Sequence, residues 1–371
     1  MGLRSMLDGL RDWRDRRRVF GELRKLRAAD VPYDFADTGA ILQNMTNASI
    51  REDTVATMQA WELLNRRAPD LAITSGKAMR ALFAVKQADV AEAALTRALE
   101  RFADDFDVAQ LYAEAAIYRG DFEESARRWT IVLQRFPRLH RAYVLKARCL
   151  IRIGRLDEAE GLLLHAQKMD TPDEGAATDF AGIASQRKDW EEALRRWDDV
   201  RKEFPVVEAW IGFATAQREL GRREDAIETL NLARGKFLNS HRPSVELAWM
   251  AHNAKDWPEA LRQWQAVRES FPRLATGYIA GAWALREAGQ LEEAEAVLGI
   301  GANLLDQDAG PAVDYARYAH RRGDWPEAIR RWAMVRERFP AEKSGYTEGA
   351  DTLEAAGDHA AASAVRAAAP G

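Results

Sequence analysis

The chain has 371 residues, of which 47% are hydrophobic and 30% are charged, and its net charge is −4. This balance argues against a nucleic-acid partner, because a nucleic-acid-binding surface needs an excess of basic residues. A membrane-spanning helix is not expected, since no run of about 18 apolar residues occurs. Cys149 is the only cysteine, so no intramolecular disulfide can form.

Residues 1–37 are predicted to form a separate N-terminal segment, an amphipathic helix over residues 1–30 followed by a linker. Nine basic and five acidic residues occur in residues 1–30, and no apolar stretch has the character of a secretory signal. The helix either caps the structure that follows or lies on an anionic membrane or a partner protein. The interleaved Asp8, Asp12 and Asp15 argue against strong lipid binding.

Beyond residue 37 the sequence is periodic. Tryptophans recur at intervals of 68, 68, 67 and 68 residues, at Trp61, Trp129, Trp197, Trp264 and Trp332. A proline follows each of them eight residues later. A fixed period of this kind predicts a solenoid, in which each unit packs only against its neighbours.

The segment 256–272 shows what one part of this period encodes. Its apolar residues are spaced to share one face of a helix, at Trp257, Ala260, Trp264 and Val267. Asp256 is placed to cap the N-terminus of this helix, and Pro258 in the first turn needs no intrahelical acceptor. We expect Trp264 to be buried between its own hairpin and the next one.

A second type of segment carries a glycine at the same point of each period, at Gly154, Gly221, Gly289 and Gly357. A helix that ends at such a point needs a residue that tolerates a positive φ angle. Each period therefore holds two helical hairpins of about 34 residues. In one early hairpin Lys86 occupies the glycine position.

This pattern resembles the tetratricopeptide repeat, a helix-turn-helix of about 34 residues with small and aromatic residues at fixed positions. In the hairpin that begins at residue 207, these positions hold Trp210, Ala214, Gly221, Ala226 and Ala233. The resemblance implies an all-α fold, a right-handed superhelical α-solenoid over residues 38–371, with about ten hairpins arranged as five double repeats. The hairpins are predicted to begin near residues 38, 72, 106, 140, 174, 207, 241, 275, 309 and 343.

The resemblance also implies where a partner binds, because in this family the first helix of each hairpin lines the concave surface. Trp249 and Trp283 occupy the ninth position of consecutive hairpins, where the repeat framework needs no tryptophan, and Arg317 follows in the next hairpin. We expect these three residues to form a ladder along one groove. The flanking residues are predicted to be His252, Arg286, His320 and Arg321. The alternative is that the two tryptophans only fill a tightly wound groove or contact each other.

The sequence contains no HExxH pair, no phosphate-binding loop and no nucleophile elbow. We therefore expect no enzymatic activity, no cofactor and no bound metal. The leading hypothesis is a cytoplasmic scaffold of bacterial type, whose groove binds an extended segment or a helix of a partner protein. Aromatic and arginine side chains also suit a glycan or an anionic ligand. A second hypothesis is an accessory of bacterial surface-polysaccharide assembly, held at the inner membrane by residues 1–30.

Overall fold

The computed structural model describes residues 35–169 and 172–370, and every regular element in these ranges is helical. The chain divides into two units, one up to Ile183 and one from Ala184. The predicted helix over residues 1–30 lies outside the described residues. Its roles as a cap or as a membrane contact therefore stay predictions, and so does the boundary at residue 37.

Helices of the first unit pair into antiparallel hairpins. They are α1 Phe35–Ile50, α2 Thr54–Arg67, α3 Pro69–Thr74, α4 Gly76–Ala84, α5 Ala88–Arg101, α6 Phe106–Ala115, α7 Phe122–Arg135, α8 His140–Arg152, α9 Leu156–Gln167 and most of α10 Glu174–Gln186. A 3-10 turn, Ala116–Arg119, prolongs α6. Ser75 separates α3 from α4, because its hydroxyl accepts a hydrogen bond from the backbone N–H of Ala78 at 3.4 Å and so caps a new helix.

The second unit continues with eleven helices. They are α11 Trp190–Glu203, α12 Val207–Glu219, α13 Arg223–Lys236, α14 Arg242–Asn253, α15 Trp257–Ser270, α16 Ala275–Glu287, α17 Leu291–Leu304, α18 Gly310–Arg321, α19 Trp325–Arg338, α20 Ser344–Ala355 and α21 His359–Ala367. Each of these helices contacts the next, and the first helices of successive hairpins also meet, as α16 meets α18. For the described residues, the predicted all-α solenoid of stacked hairpins is confirmed.

Aspartates begin many of these helices. Asp256 caps α15, since its carboxylate accepts a hydrogen bond from the backbone N–H of Glu259 at 3.2 Å, and Pro258 lies in the first turn. Equivalent caps begin α7, α11, α19 and α21, at Asp121, Asp189, Asp324 and Asp358. A cap of this type contributes about 1 kcal/mol to helix stability. The predicted start of α15 is thus confirmed.

The turns inside the hairpins use the left-handed backbone conformation. The four glycines that mark the period have φ angles between 77° and 88°, as their spacing predicts, at Gly154, Gly221, Gly289 and Gly357. Four other hairpins turn through residues with side chains, at Glu52, Lys86, Lys188 and Lys255, with φ angles between 56° and 61°. A side chain in this conformation costs about 1 kcal/mol, which the packing of two helices outweighs.

The periodic tryptophans form the core between hairpins. Trp129, Trp264 and Trp332 are fully buried, which confirms the prediction for Trp264. Their indole N–H groups have no hydrogen-bond acceptor in the described part of the chain, whereas Trp197 Nε1 donates to Ser185 Oγ at 2.9 Å. The tryptophan at this repeat position therefore has different surroundings at Trp197, where the indole ring packs against Gly212.

A buried arginine joins neighbouring hairpins in each unit, a feature that the sequence reading did not anticipate. Arg331 of α19 lies 3.5 Å from the ring centroid of Tyr315 and donates to the carbonyl oxygen of that residue at 2.9 Å. It also pairs with Glu327 of its own helix at 2.6 Å and with Glu295 of the preceding hairpin. The first unit repeats the arrangement with Arg128, Tyr112, Glu124 and Glu92.

Candidate functional site

The candidate site lies in the second unit, on the first helices of three successive hairpins, α14, α16 and α18. Trp249 of α14 and Trp283 of α16 meet with their ring centroids 6.0 Å apart and their planes at 70°. This edge-to-face arrangement is one that aromatic pairs prefer. The structure thus brings together the two tryptophans that the sequence placed in equivalent positions.

His252 lies at the centre of this aromatic cluster and is 5% exposed. Its ring centroid is 4.6 Å from that of Trp283, 5.1 Å from that of Trp249 and 5.3 Å from that of Trp257. Burial lowers the pKa of His252 below its ordinary value, against the opposing effect of Glu287, so the imidazole is neutral at pH 7. Its Nδ1 atom is buried without a hydrogen-bond partner.

The two tryptophans differ in their surroundings, although the sequence placed both outside the repeat core. Trp249 is half-buried and packs edge-to-face on the framework Trp264, with centroids 5.1 Å apart. It therefore belongs in part to the core, and that expectation is corrected. Trp283 is 45% exposed, and the rings that contact it, Trp249 and His252, both come from α14.

Arg317 is not available as the third rung of the predicted ladder. Its guanidinium donates to both carboxylate oxygens of Glu348 in α20, at 2.8 and 2.6 Å, and to Asp314 at 3.1 Å. The hydrogen bonds to Glu348 raise the pKa of Arg317 further above its ordinary value. No cation–π contact between Arg317 and Trp283 occurs in the part of the chain that the structure describes. The ladder therefore consists of the two tryptophans alone.

The remaining predicted residues flank the cluster in different states. Arg286 is exposed and lies 3.4 Å from the neighbouring Glu287. His320 forms a hydrogen bond with Thr352 Oγ1 at 2.8 Å. Arg321 is exposed and has no ion pair or side-chain hydrogen bond with any residue in the described ranges. Of the arginines predicted at the site, Arg321 is thus the one whose charge has no partner.

Sequence reasoning missed Trp257 as a member of this cluster because it counted that residue as repeat framework. The ring of Trp257 closes the cluster on the side of His252, and the spacing of five residues between them spans the hairpin turn. No group of three His, Cys, Asp or Glu residues that could hold a metal ion occurs among residues 35–169 and 172–370. In the same ranges, every helix is too short or too polar to span a membrane.

Residues 111–174 and 179–237 match the family model described as tetratricopeptide repeat. These residues of the chain are therefore tetratricopeptide repeats. The chain resembles yeast Tom70 in fold, with 13% identity and a TM-score of 0.50 over 95% of this chain and 86% of that one. A comparison with curated proteins finds no match.

Two further solved structures are similar to this chain. A tetratricopeptide repeat protein from Parabacteroides merdae is 14% identical, with a TM-score of 0.44 over 67% of this chain and 98% of that one. The Cut9–Hcn1 hetero-tetramer of APC/C contains a chain that is 17% identical, with a TM-score of 0.41 over 81% of this chain. This chain spans 58% of that relative's length. At such identities the likeness concerns the fold alone.

Proposed function

We propose that this tetratricopeptide repeat protein is a non-enzymatic interaction scaffold that binds an extended segment of a partner protein over Trp283. The observation that carries the proposal is the 45% exposure of this indole, in a cluster whose other rings are buried or half-buried. The repeat framework does not require a tryptophan at this position. Exposed aromatic residues of this kind typically anchor protein interfaces.

The packing beneath Trp283 also supports a binding role. Trp249 and His252 pack against the indole, and the buried Trp264 in turn packs against Trp249. A side chain fixed in this way loses little conformational entropy when a partner binds, so more of the contact energy appears as affinity. The face of Trp283 that remains exposed is therefore a preorganised apolar platform.

The test compares Trp283→Ala with Ile300→Ala, which removes an apolar side chain of similar exposure, 57%, from the second helix of the same hairpin. Partner proteins are recovered by affinity purification from the source cells and quantified for each variant. We expect Trp283→Ala to reduce recovery strongly, because truncation of such an anchor costs about 2 kcal/mol, or roughly 30-fold in affinity. Ile300→Ala should leave recovery unchanged.

Folding of both variants is checked by circular dichroism and thermal melting. Ile300→Ala is expected to melt like the parent chain, since substitutions of exposed side chains usually change stability by less than about 0.5 kcal/mol. Trp283→Ala should stay folded but lose about 1 kcal/mol of stability, because it removes the contacts of the indole with Trp249 and His252. Trp249→Ala should instead destabilise the second unit by about 3 kcal/mol, because it opens a cavity beside Trp264. Undiminished recovery with folded Trp283→Ala would mean that partners bind elsewhere.

The alternative role in surface-polysaccharide assembly depends on membrane contact through residues 1–30, which lie outside the described residues. No contact among the described residues favours a sugar over a peptide at Trp283. The interaction scaffold is therefore the function that we propose.

A further inference from the structure

We infer that the segment bound over Trp283 carries an acidic side chain, three or four residues from its apolar anchor, that pairs with Arg321. The acidic residue belongs to the partner segment of the proposed function, on which this inference rests. Two observations support this inference. They are the unpaired charge of Arg321 near the aromatic cluster and the spacing of the helices that carry Trp283 and Arg321.

In the second unit, most charged side chains near the C-terminal ends of the first helices are paired within the chain. Arg218 of α12 lies 2.9 Å from Glu219, and Arg286 of α16 lies 3.4 Å from Glu287. Arg317 of α18 is held by two carboxylates, as described above. A ligand would have to compete with these carboxylates for each of the three arginines.

Arg321 of α18 is the exception. Its side chain is exposed and has no partner among the described residues. It occupies on α18 the position that Asn253 and Glu287 occupy on α14 and α16, four residues beyond the aromatic position of each helix. A carboxylate of a ligand can pair with this guanidinium without breaking an ion pair or hydrogen bond to any described residue.

The geometry of the helices sets the distance between anchor and acid. Arg317 occupies on α18 the position that Trp283 occupies on α16, and Arg321 lies four residues further along. Packed helices lie about 9 Å apart, and four residues of helix rise about 6 Å. The separation is then about 11 Å, which an extended chain spans with three or four residues.

A basic side chain stacked on Trp283 is the competing chemistry, because indole faces attract cations. The charge of such a ligand would lie about 11 Å from the unpaired charge of Arg321, while Glu287 of α16 already pairs with Arg286. His252 beneath the indole adds no charge at neutral pH, since burial lowers its pKa. The charge near the cluster therefore favours an acidic segment over a basic one.

The first experiment selects ligands from a phage-displayed library of random dodecapeptides on the immobilised full chain. Phage that bind the immobilised Trp283→Ala variant are removed by counter-selection before each round. We expect the enriched peptides to contain an apolar residue followed or preceded, at a distance of three or four, by Asp or Glu. Enrichment of Lys or Arg at these positions, or failure to enrich any peptide, would overturn the inference.

The second experiment measures the affinity of one enriched peptide, N-acetylated and C-amidated so that its only carboxylates are side chains. Arg321→Gln should weaken binding about three-fold, in the range that exposed ion pairs contribute. Arg321→Glu should weaken binding more than Arg321→Gln does. A peptide whose acidic residue is replaced by Lys should bind the Arg321→Glu variant better than it binds the parent chain. High salt should reduce the difference between these variants.

Arg273→Glu is the matched control, because Arg273 is also exposed and has no partner among residues 35–169 and 172–370, but precedes α16 at its opposite end. This variant should bind the peptide like the parent chain. Equal losses for Arg273→Glu and Arg321→Glu would indicate an effect of overall charge and overturn the inference. If the peptide requires Trp283 but is indifferent to Arg321, the inference fails while the proposed function stands. If recovery of cellular partners is indifferent to Trp283 as well, the proposed function fails too.

Discussion

Replacing Gly212 by alanine should destabilise the second unit, although alanine favours helices more than glycine does. Gly212 lies inside α12, and a Cβ atom added there would be 2.4 Å from two ring carbons of Trp197. Ordinary carbon contacts are no closer than about 3.5 Å, so the indole would have to move by about 1 Å. Trp197 is buried and its Nε1 donates to Ser185, so this movement also strains a hydrogen bond.

The expected magnitude follows from three opposing contributions. Overpacking a buried site costs about 1–3 kcal/mol, and loss of the Trp197–Ser185 hydrogen bond costs about 1 kcal/mol more. The higher helix propensity of alanine returns about 1 kcal/mol. The net destabilisation is therefore about 1–3 kcal/mol. Gly182→Ala in α10 is the control, because its Cβ would meet no atom within 4 Å, and it should stabilise by up to about 1 kcal/mol.

Hydrogen exchange is the suitable assay, since it reports the stability of α11 and α12 separately even where the array does not unfold in one step. Removal of the Trp197 ring provides an internal check. In the Trp197→Ala background, Gly212→Ala should cost less than in the parent chain, because the ring atoms that the methyl group meets are gone. Gly212→Ala as stable as Gly182→Ala would refute the reasoning.

Three other predictions test features outside the aromatic cluster. Arg331→Met should destabilise α17–α19 by about 3 kcal/mol, measured by hydrogen exchange, because it leaves the carboxylates of Glu295 and Glu327 without their buried partner. The control is Arg330→Met, which should cost less than about 1 kcal/mol because Arg330 is exposed. Hydrogen bonds from Arg330 and Arg331 lower the pKa of Glu327 from 4.5 to about 2. The stability that this carboxylate contributes is therefore complete above about pH 4.5 and is lost as the pH falls towards 2. In urea titrations across this range, Glu327→Gln should lose stability at neutral pH and flatten the acid dependence. Lys255→Gly should stabilise the second unit by about 0.5–1 kcal/mol and so raise its melting temperature, because glycine adopts the positive φ angle at this turn without strain. Gly289→Lys should lower the melting temperature for the opposite reason.

The repeat could be predicted from the sequence because its causes are local and recur. The spacing of Trp264 from its equivalents predicts a buried face, and the glycine after each short segment predicts a left-handed turn. Both are confirmed. The turn at Lys255 could not be recognised in the same way, because contacts between two helices overcome a small local penalty there.

The candidate site was only partly predictable, because its residues differ through neighbours that are distant in sequence. Trp249 and Trp283 hold the same repeat position, but Trp249 packs on Trp264, whereas the equivalent residue in the next hairpin is Leu298. The guanidinium of Arg317 is unavailable to a ligand because it pairs with Glu348, 31 residues later in the sequence. The repeat pattern does not indicate such an ion pair, so the sequence analysis predicted that Arg317 would be available in the groove.

The framework of this protein recurs along its whole described length, but the aromatic cluster occurs in one hairpin and its successor. Trp249 packs on Trp264, and together with His252 it supports the exposed Trp283. No second cluster of this composition occurs in residues 35–169 or 172–370. The described residues therefore offer one such cluster. Under the proposed function, a partner with several copies of the same motif gains no avidity from binding at this cluster, and titration of Trp283-dependent binding should end at a ratio of one to one.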